Sequence, residues 1–344
     1  MRAAGVILVA LAAASTSGAE RPLAQFYYVS DNAALRSLEA NIDSIGLLSP
    51  AWIEVDPSGG LTTSIEPRVM ELAAAHSVHV MPLVMNANFD PAVAAAVLRE
   101  ETVRSALAAK IARLVLSENF DGVQLDFEGL DSTTRDGYTA LARTLAAQLS
   151  RYGKRLAVTV AAPVYAIGPI DQKPSAWLAT PRSEGFDYAK LGAAADFVTL
   201  MAYDQYATAD AAGPVAGFEW VDACIRKALE WIPAGKLTLG LPFYHRRWAG
   251  ARIATGSWAE AQAEAIRENA PTEWHPMHQE PFIRFERAGV ANVVWFHNAA
   301  SLERRLELAR RYGLRGFSAW RLGQEDPAVW PRLFERKGVL AAWR

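Results

Sequence analysis

The stretch from Phe120 to Glu128 constrains this chain more than any other, because apolar and polar side chains alternate along it. Its apolar residues fall on one face of a predicted strand, and Gln124, Asp126 and Glu128 fall on the other. Side chains two apart lie about 6.6 Å apart along a strand, so two carboxylates enter one shared space. Because like charges that close disfavour double ionisation, one acid is expected to hold its proton near neutral pH, as a general acid must. The alternative is a strand end whose acids are solvated.

Strand-like apolar runs alternate with helical patterns from about residue 25 to the end, which is typical of βα units around a parallel sheet. The 344 residues suit a single α/β barrel. The eight candidate strands are 26–29, 44–55, 78–85, 121–127, 155–161, 196–203, 237–242 and 315–320. Helical periodicity occurs at 65–75, 100–117, 134–151, 186–194, 219–231, 300–312 and 327–335. Eight strands is the number that a closed barrel requires, so the predicted fold class is α/β, a (β/α)8 TIM barrel.

One long segment, residues 246–298, interrupts this alternation between the seventh and eighth strands. It contains a helical pattern at 258–269 and two strand-like pieces at 281–287 and 292–296. We predict a small α+β insertion on the face of the barrel that carries the active site, where it would wall a cleft. Neither a repeat nor a linker marks a second domain, so we expect one catalytic barrel over residues 20–344.

The first 19 residues have the pattern of a secretory signal. Arg2 gives a positive start, an apolar run follows, and Ser17-Gly18-Ala19 precede a predicted cut at Glu20. The run is too short to cross a bilayer, which needs about 20 apolar residues; the alternative is a buried N-terminal helix. We expect a secreted or periplasmic protein whose mature chain has no membrane span.

Several classes of function are disfavoured by composition and spacing. The chain has 35 basic and 37 acidic residues, so no electrostatic footprint for nucleic acid is visible. His275 and His278 are close in sequence, but Pro276 indicates a loop, and neither a supporting cysteine nor a His-Glu-x-x-His motif points to zinc. Gly59-Gly60 lacks the strand-to-helix setting of a phosphate-binding loop. We therefore expect neither a metal nor another cofactor.

The stretch at 121–128 resembles the signature of glycoside hydrolase family 18, the chitinases and related endo-N-acetylglucosaminidases. That signature is Asp-Gly-x-Asp-x-Asp-x-Glu on the fourth strand of a (β/α)8 barrel. Asp121, Gly122, Asp126 and Glu128 match it, whereas Gln124 stands where Asp is usual. An amide at this position is familiar among relatives that cleave bacterial cell wall or spore cortex. Gln124 can hydrogen-bond Asp126 but can never take its proton.

Three further segments agree with this resemblance in their order along the chain. Met201 to Asp204 resembles the Met-x-Tyr-Asp motif of the family and closes the sixth predicted strand. Gly240 to Tyr244 closes the seventh, and Trp320 closes the eighth. Since catalytic residues of a barrel lie at the C-terminal ends of its strands, these side chains are expected to meet. The resemblance extends over about residues 24–335.

The resemblance implies a retaining glycosidase in which the 2-acetamido group of the substrate is the nucleophile. Glu128 would be the general acid and base, Asp126 would accept the acetamido N–H, and Tyr203 would donate to the acetamido oxygen. The expected substrate-binding residues are Asp204, Trp320 as the floor under the sugar, Gln124, Tyr244 and Tyr27. Tyr27 is named without Tyr28 because alternation along the first strand lets only one of the two face inward. Asp121 and Gly122 are expected to support the site structurally.

The implied function is a secreted hydrolase that cleaves β-1,4 bonds after an N-acetylglucosamine residue. Its partner would be a polysaccharide or oligosaccharide containing that sugar, and peptidoglycan, chitin-like polymers and N-glycans all stay open. The predicted signal, Gln124 and the small insertion favour bacterial cell wall. The alternative is a non-catalytic, lectin-like barrel of the same family, and the presence of Glu128 with Asp126 and Tyr203 favours the enzyme.

Overall fold

The computed structural model of the chain describes residues 23–167, 170–209 and 211–334. Its strands are β1 (Leu23–Tyr28), β2 (Leu47–Pro50), β3 (Ile53–Val55), β4 (Leu61–Thr63), β5 (His79–Val80), β6 (Leu83–Asn86), β7 (Gly122–Leu125), β8 (Arg155–Ala161), β9 (Val164–Ile167), β10 (Ala176–Ala179), β11 (Phe197–Met201), β12 (Leu237–Pro242), β13 (Tyr244–Ala249), β14 (Arg252–Ser257), β15 (Glu273–His275), β16 (Glu280–Arg287), β17 (Val290–Phe296) and β18 (Gly316–Trp320). Its α-helices are α1 (Asn32–Asn41), α2 (Pro67–Ala75), α3 (Pro91–Arg99), α4 (Glu101–Ser117), α5 (Arg135–Ser150), α6 (Tyr188–Ala194), α7 (Phe218–Ala228), α8 (Trp258–Arg267), α9 (Ala299–Arg311) and α10 (Val329–Phe334).

Eleven of these strands form one sheet that closes on itself. The second barrel strand is split into β2 and β3 and the third into β5 and β6, and β2 pairs with β5 while β3 pairs with β6. Strand β1 pairs in parallel with β2 on one side and with β18 on the other. Pro82 lies between β5 and β6, where its missing N–H interrupts the ladder. The architecture is the predicted (β/α)8 TIM barrel, and all eight predicted strands are confirmed.

The apolar residues of β7 face the surrounding helices, as the alternation predicts. Val123 and Leu125 are fully buried in the main hydrophobic core between strands and helices, together with Leu141 and Leu145 of α5. Since side chains alternate across a strand, Gln124 must point into the barrel instead. The strand therefore presents its polar face to the barrel interior and to the cleft above it.

A layer of neutral polar side chains fills the barrel interior. Gln25 donates to Ser49 at 2.7 Å and accepts from Ser318 at 2.6 Å, and Thr199 and Thr238 share a hydrogen bond of 2.9 Å. All five side chains are buried. Because buried polar groups are costly unless they are hydrogen-bonded, this network stabilises a polar centre that apolar packing would otherwise fill.

The insertion between β12 and β18 is an antiparallel sheet of five strands, in the order β14-β13-β17-β16-β15, with α8 packed against it. The predicted helix and the two predicted strands are present as α8, β16 and β17. Strands β13, β14 and β15 were missed, because β13 starts two residues after β12 and carries mostly polar and charged side chains. A capping box between Ser257 and Glu260 starts α8.

Other elements were also missed by the sequence analysis. They are the helices α1 and α3, the short strand β4, and an antiparallel hairpin formed by β9 and β10. Both missed helices carried start signals, since Asp31 accepts a hydrogen bond from the Ala34 N–H at 2.7 Å and Asp90 accepts one from the Ala92 N–H at 2.8 Å. The hairpin lies between β8 and α6, on the rim of the cleft described below.

A buried ionic cluster ties the insertion to the barrel. Glu280 of β16 accepts hydrogen bonds from the backbone N–H groups of Val215 at 2.8 Å and Ala216 at 3.1 Å, and it lies 3.4 Å from the Arg305 guanidinium of α9. Both charged side chains are fully buried. Separating the two charges would leave each of them buried and unpaired, which is costly. The hydrogen bonds from Val215 and Ala216 to Glu280 therefore hold the loop after β11 against the insertion.

The predicted signal segment, residues 1–19, lies outside the described residues. Over the ranges given above, no helix combines the length and the hydropathy that crossing a bilayer would require.

Candidate active site

Asp126 and Glu128 follow the C-terminal end of β7, at the mouth of the barrel. Asp126 is buried and accepts a hydrogen bond from the Thr159 hydroxyl of β8 at 2.5 Å. The Glu128 N–H donates to the Asn86 side-chain oxygen at 2.9 Å, and the Asn86 amide donates back to the Glu128 carbonyl at 3.2 Å. The neighbouring strands β6 and β8 therefore hold the backbone of one acid and the side chain of the other.

The two acids open into a cavity of about 290 Å³ at the C-terminal end of the barrel. The predicted site residues that line it are Tyr27, Asp126, Glu128, Tyr203, Asp204, Tyr244 and Trp320. These residues come from β1, the end of β7, the end of β11, β13 and β18. The structure thus brings together side chains that are as much as 293 positions apart in sequence, the separation of Tyr27 and Trp320 (320 − 27 = 293).

Burial separates the titration of the two acids. Loss of hydration raises the pKa of Glu128 to about 8, and the negative charges of Asp126 and Asp204 add to this shift while the Arg182 guanidinium opposes it. Burial also raises the pKa of Asp126, to about 6, although the hydrogen bond from Thr159 favours its anion. Both pKa values are raised, and that of Glu128 is raised further, so Glu128 is the acid of this coupled pair that holds a proton more readily near neutral pH.

Asp204 is held on the cavity wall by two partners. The Tyr244 hydroxyl donates to its carboxylate, and Arg246 donates to the same oxygen through Nε at 2.8 Å and Nη2 at 2.6 Å. Asp204 has a φ of 62°, a left-handed conformation that aspartate tolerates better than most residues.

Burial raises the pKa of Tyr203 well above its usual range, so its phenol keeps its proton and is available as a donor.

Two aromatic side chains, Tyr27 and Trp320, form part of the cavity wall. The rings of Tyr27 and Trp320 lie 5.4 Å apart, and both line the cavity. Tyr28 faces the opposite way, into the main core, and its hydroxyl donates to Glu66 at 3.1 Å. The expectation that Tyr27 is the inward-facing residue of the pair agrees with this geometry. The peptide bond between Trp320 and Arg321 is cis.

Gln124 lies in the buried polar layer beneath the cavity and not on its wall, so the prediction that it contacts substrate is corrected. Its amide donates to the Tyr27 hydroxyl at 2.7 Å and to Thr199 at 3.3 Å, and its oxygen accepts from Gln25. The predicted hydrogen bond to Asp126 is replaced by the one from Thr159. Side chains on one face of a strand recur every two residues, so residue 124 lies one step deeper in the barrel than residue 126. The Gln124 side chain is completely enclosed there.

Asp121 and Gly122 lie at the start of β7, so the prediction that they are structural residues near the site is wrong about their place. Asp121 accepts from the Val80 N–H at 2.8 Å and lies 2.9 Å from His79, which ties β7 to β5 at the far end of the barrel. A side chain at Gly122 would lie 2.0 Å from the Arg155 carbonyl oxygen of β8, so this position has no room for one. Both residues are structural, but at the opposite end from the acids.

A larger groove of about 760 Å³ adjoins the cavity. The two share Phe89, Glu128, Met201, Tyr203, Asp204 and Arg246 as lining residues. Beyond Glu128 the groove is lined by residues such as Tyr165, Arg182 and Tyr206, from the hairpin, the turn after it and the loop after β11. Glu128 thus stands at the junction of a small cavity and an open groove.

Four contributors to this site were missed by the sequence analysis: Asn86, Thr159, Arg182 and Arg246. Asn86 and Thr159 are polar residues in or at the end of buried strands, the same signal that singled out Asp126. Arg246 and Arg182 lie in the insertion and in the segment between β10 and α6, where the barrel pattern gives no register. No local signal in the sequence marks these two arginines.

Comparisons with known proteins agree with this geometry. The family model described as "Glycosyl hydrolases family 18" matches residues 59–325. The cortical fragment-lytic enzyme of Bacillus subtilis is 28% identical over 262 residues, which cover 74% of this chain and 58% of that protein. The uncharacterized glycosylase YvbX of Bacillus subtilis is 23% identical over 322 residues, covering 91% of this chain and 90% of that protein. The chain thus spans less than two thirds of the length of the first of these relatives.

Among solved structures, a chitinase from Chromobacterium violaceum superposes with a TM-score of 0.81 at 24% identity. The match covers 94% of this chain and 98% of that chain, which shows that the fold is shared over nearly the whole described region. The family model alone matches most of the 344 residues, including the segments that carry Asp126, Glu128, Tyr203 and Trp320. This chain therefore belongs to family 18 of the glycosyl hydrolases.

Proposed function

We propose that this chain is a glycoside hydrolase that cleaves β-1,4 bonds following an N-acetylglucosamine residue, by a substrate-assisted mechanism that retains the anomeric configuration. The observation that carries the proposal is that Glu128 and Asp126 line one cavity together with Tyr203 and Trp320, with the pKa of Glu128 raised by burial and by its acidic neighbours. Family 18 is an exception to the two-carboxylate scheme, because its nucleophile belongs to the substrate.

In the first step, the carbonyl oxygen of the 2-acetamido group attacks the anomeric carbon, and the bond from that carbon to the glycosidic oxygen breaks. Glu128 gives its proton to the departing oxygen, so the leaving sugar departs as a neutral alcohol. The product in the cavity is an oxazolinium ion. Glu128, now a carboxylate, takes a proton from water as that water attacks the anomeric carbon, which restores the acetamido group and returns the proton to Glu128.

The other cavity residues have roles that follow from their charge. Asp126 accepts the acetamido N–H and stabilises the positive charge that develops on the ring, an electrostatic task suited to a fixed anion in a dry site. The Tyr203 phenol keeps its proton and donates to the acetamido oxygen. Trp320 offers an apolar face to the C–H face of the sugar. Arg246 holds Asp204 toward the same cavity.

One relative, which is named a cortical fragment-lytic enzyme, favours bacterial cell wall as the substrate, whereas the solved structure described above is named a chitinase. Gln124 and the predicted secretory signal favour the same substrate and a secreted or periplasmic location. We therefore place peptidoglycan ahead of chitin. The lectin-like alternative is disfavoured, because binding alone would not need a proton donor, whereas Glu128 is present in the cavity and burial raises its pKa toward the range that a general acid requires.

A substrate panel tests the proposal. The purified protein should release products with N-acetylglucosamine at the reducing end from peptidoglycan and from chitohexaose, as read by mass spectrometry. Cellohexaose, which has a 2-hydroxyl in place of the acetamido group, should not be cleaved, because it lacks the nucleophile. Cleavage of cellohexaose at a comparable rate would overturn substrate assistance, and absence of turnover on every acetamido substrate would favour the binding protein.

The pH dependence of kcat/KM on chitohexaose should be bell-shaped. Activity should fall as pH drops below about 6, because Asp126 is then protonated, and as pH rises above about 8, because Glu128 then loses the proton that it must donate. The two limbs report the titration of the coupled pair. A profile that stays flat over this range would contradict the assigned protonation states.

The Gln124→Asp variant can be compared with the wild type in the same measurement of kcat/KM against pH. It places a carboxyl directly beneath Asp126, in a layer whose described members are otherwise neutral. A second acid there can share a proton with Asp126, so we expect activity to survive with a wider acidic limb. An unchanged acidic limb would show that the neutral layer does not govern the titration of Asp126.

A further inference from the structure

The groove beyond Glu128 is lined by Arg182, which forms no ion pair with the residues that the structure describes. Three arginines line the cleft: Arg182, Arg246 and Arg321. Arg246 is paired with Asp204 at 2.6 Å and Arg321 with Asp31 at 2.7 Å. Arg182 is exposed and forms no ion pair with any residue in 23–167, 170–209 or 211–334. Its guanidinium therefore presents an uncompensated positive charge to whatever occupies the groove.

The backbone that carries Arg182 is held against the segment that follows Glu128. Arg182 lies in a 3-10 turn, Pro181–Gly185, whose start is capped by Thr180, which accepts from the Ser183 N–H at 3.1 Å. The Thr180 hydroxyl also donates to the Ala162 carbonyl at 2.8 Å, just after β8. At the other end of the turn, a side chain at Gly185 would lie 2.4 Å from Leu130 Cβ, so the turn packs directly against the segment that follows Glu128.

The mechanism assigns the two parts of the cleft to different sugars. The acetamido group must lie beside Asp126 and Tyr203, so the cavity with Trp320 holds the sugar whose anomeric carbon reacts. Glu128 protonates the oxygen that leaves, and it stands at the junction of cavity and groove. On this assignment the groove beyond Glu128 takes the leaving sugar, and Arg182 is one of the residues that line that groove.

We propose that Arg182 binds a carboxylate carried by the leaving sugar, such as the lactyl group of a muramoyl residue, and so selects anionic cell-wall strands over neutral chitin. The inference rests on the proposed function and deepens it. A guanidinium matches the geometry of a carboxylate and can donate two parallel hydrogen bonds to it. A chitin chain is neutral and gives this side chain no charge to bind.

The test compares Arg182→Gln with the wild type on substrates that differ in one charge. The substrates are peptide-free glycan strands with free lactyl carboxyls, the same strands with those carboxyls converted to amides, and chitohexaose. At pH near 7 we expect Arg182→Gln to lower kcat/KM about tenfold on the first substrate and less than about twofold on the other two. On carboxylate strands, the ratio of the wild-type kcat/KM to that of Arg182→Gln should also decrease as the salt concentration rises, because the contact is solvent-exposed.

Arg113→Gln is the matched control. It removes the same charge from an exposed position on α4, outside the barrel, and should leave all three rates unchanged. Arg182 also lowers the pKa of Glu128, so its loss should move the alkaline limb upward for every substrate alike. Because this effect is the same for both substrates, it cancels in the ratio of kcat/KM on carboxylate strands to kcat/KM on amide strands.

An equal loss on all three substrates, or no loss on any, would overturn the proposal while leaving the hydrolase in place. Peptide-bearing strands, whose lactyl carboxyl is already an amide, form a further arm. A loss confined to them would also overturn recognition of the sugar's own carboxylate, and it would assign Arg182 to the stem peptide instead. Binding of the same ligands to Glu128→Gln, measured by calorimetry with and without Arg182→Gln, separates the two proposals. If that binding does not distinguish carboxylate from amide strands, Arg182 recognition fails whether or not the wild type turns over.

Discussion

Replacing Glu128 by glutamine is expected to lower kcat on chitohexaose and on peptidoglycan by about 10³-fold or more, since general acid catalysis typically contributes about 10² to 10⁴. The substitution keeps the size of the side chain and removes its proton. The backbone of residue 128 should stay in place, because Asn86 holds both its N–H and its carbonyl. Single-turnover measurement of product formation by mass spectrometry would detect the loss in the chemical step.

The same variant should still bind oligosaccharide with an affinity within a few-fold of the wild type, as titration calorimetry would measure. Glu71→Gln is a matched control, because residue 71 is exposed on α2 on the outside of the barrel, and it should retain full activity. A Glu128→Gln variant that turns over within about tenfold of the wild type would remove Glu128 from the role of acid, since the loss would fall below the usual range for that role. Loss of binding together with activity would instead point to a damaged cleft.

Much of the fold and of the site could be predicted because two periodicities coincide in this chain. The repeat of two at residues 120–128 predicts both the burial of Val123 and Leu125 and the shared face of Asp126 and Glu128. The alternation of strands and helices predicts a barrel, and a barrel places all strand ends at one mouth. Tyr203 and Trp320 could therefore be assigned to the same site as Glu128 from their places at strand ends, together with the resemblance of Met201 to Asp204 to the Met-x-Tyr-Asp motif of the family.

The errors concern depth along a strand. Gln124 and Asp121 belong to the same motif as Asp126, but the motif spans the whole length of β7 and the site occupies only its end. Residue 124 is one layer below the cavity and residue 121 is at the opposite end of the barrel. Sequence spacing gives the face of a strand on which a side chain lies, whereas the distance to the mouth depends on where the strand begins, which the pattern locates less well.

The residues that could not be predicted come from segments outside the repeat. Arg246 reaches Asp204 only because β13 leaves the barrel two residues after β12 and pairs with the insertion. Arg182 reaches the groove because its turn packs on Leu130. Both placements depend on tertiary contacts between segments distant in sequence, and charge alone does not distinguish these arginines from the exposed ones elsewhere on the surface.

Replacing Asp126 by asparagine should lower kcat on chitohexaose by about 10² to 10³-fold with a smaller change in KM, because the lost anion acts mainly on the charge of the transition state. Asparagine has nearly the same shape, and its side-chain oxygen can still accept the hydrogen bond from Thr159 that holds residue 126 in place. The effect should therefore be electrostatic, and the pH profile of the residual activity provides a readout that a packing defect would not give.

The sign of that shift follows from the charges in the cavity. The negative charge of Asp126 raises the pKa of Glu128, so its removal should lower that pKa and move the alkaline limb to lower pH, while the acidic limb that belongs to Asp126 disappears. Ser49→Ala in the polar layer is a suitable control for a general disturbance of the barrel interior, since it removes one buried hydrogen bond without changing any charge. If Asp126→Asn keeps both limbs where the wild type has them, the two acids do not interact through space, and the pairing of a proton donor with a stabilising anion fails as the basis of the mechanism.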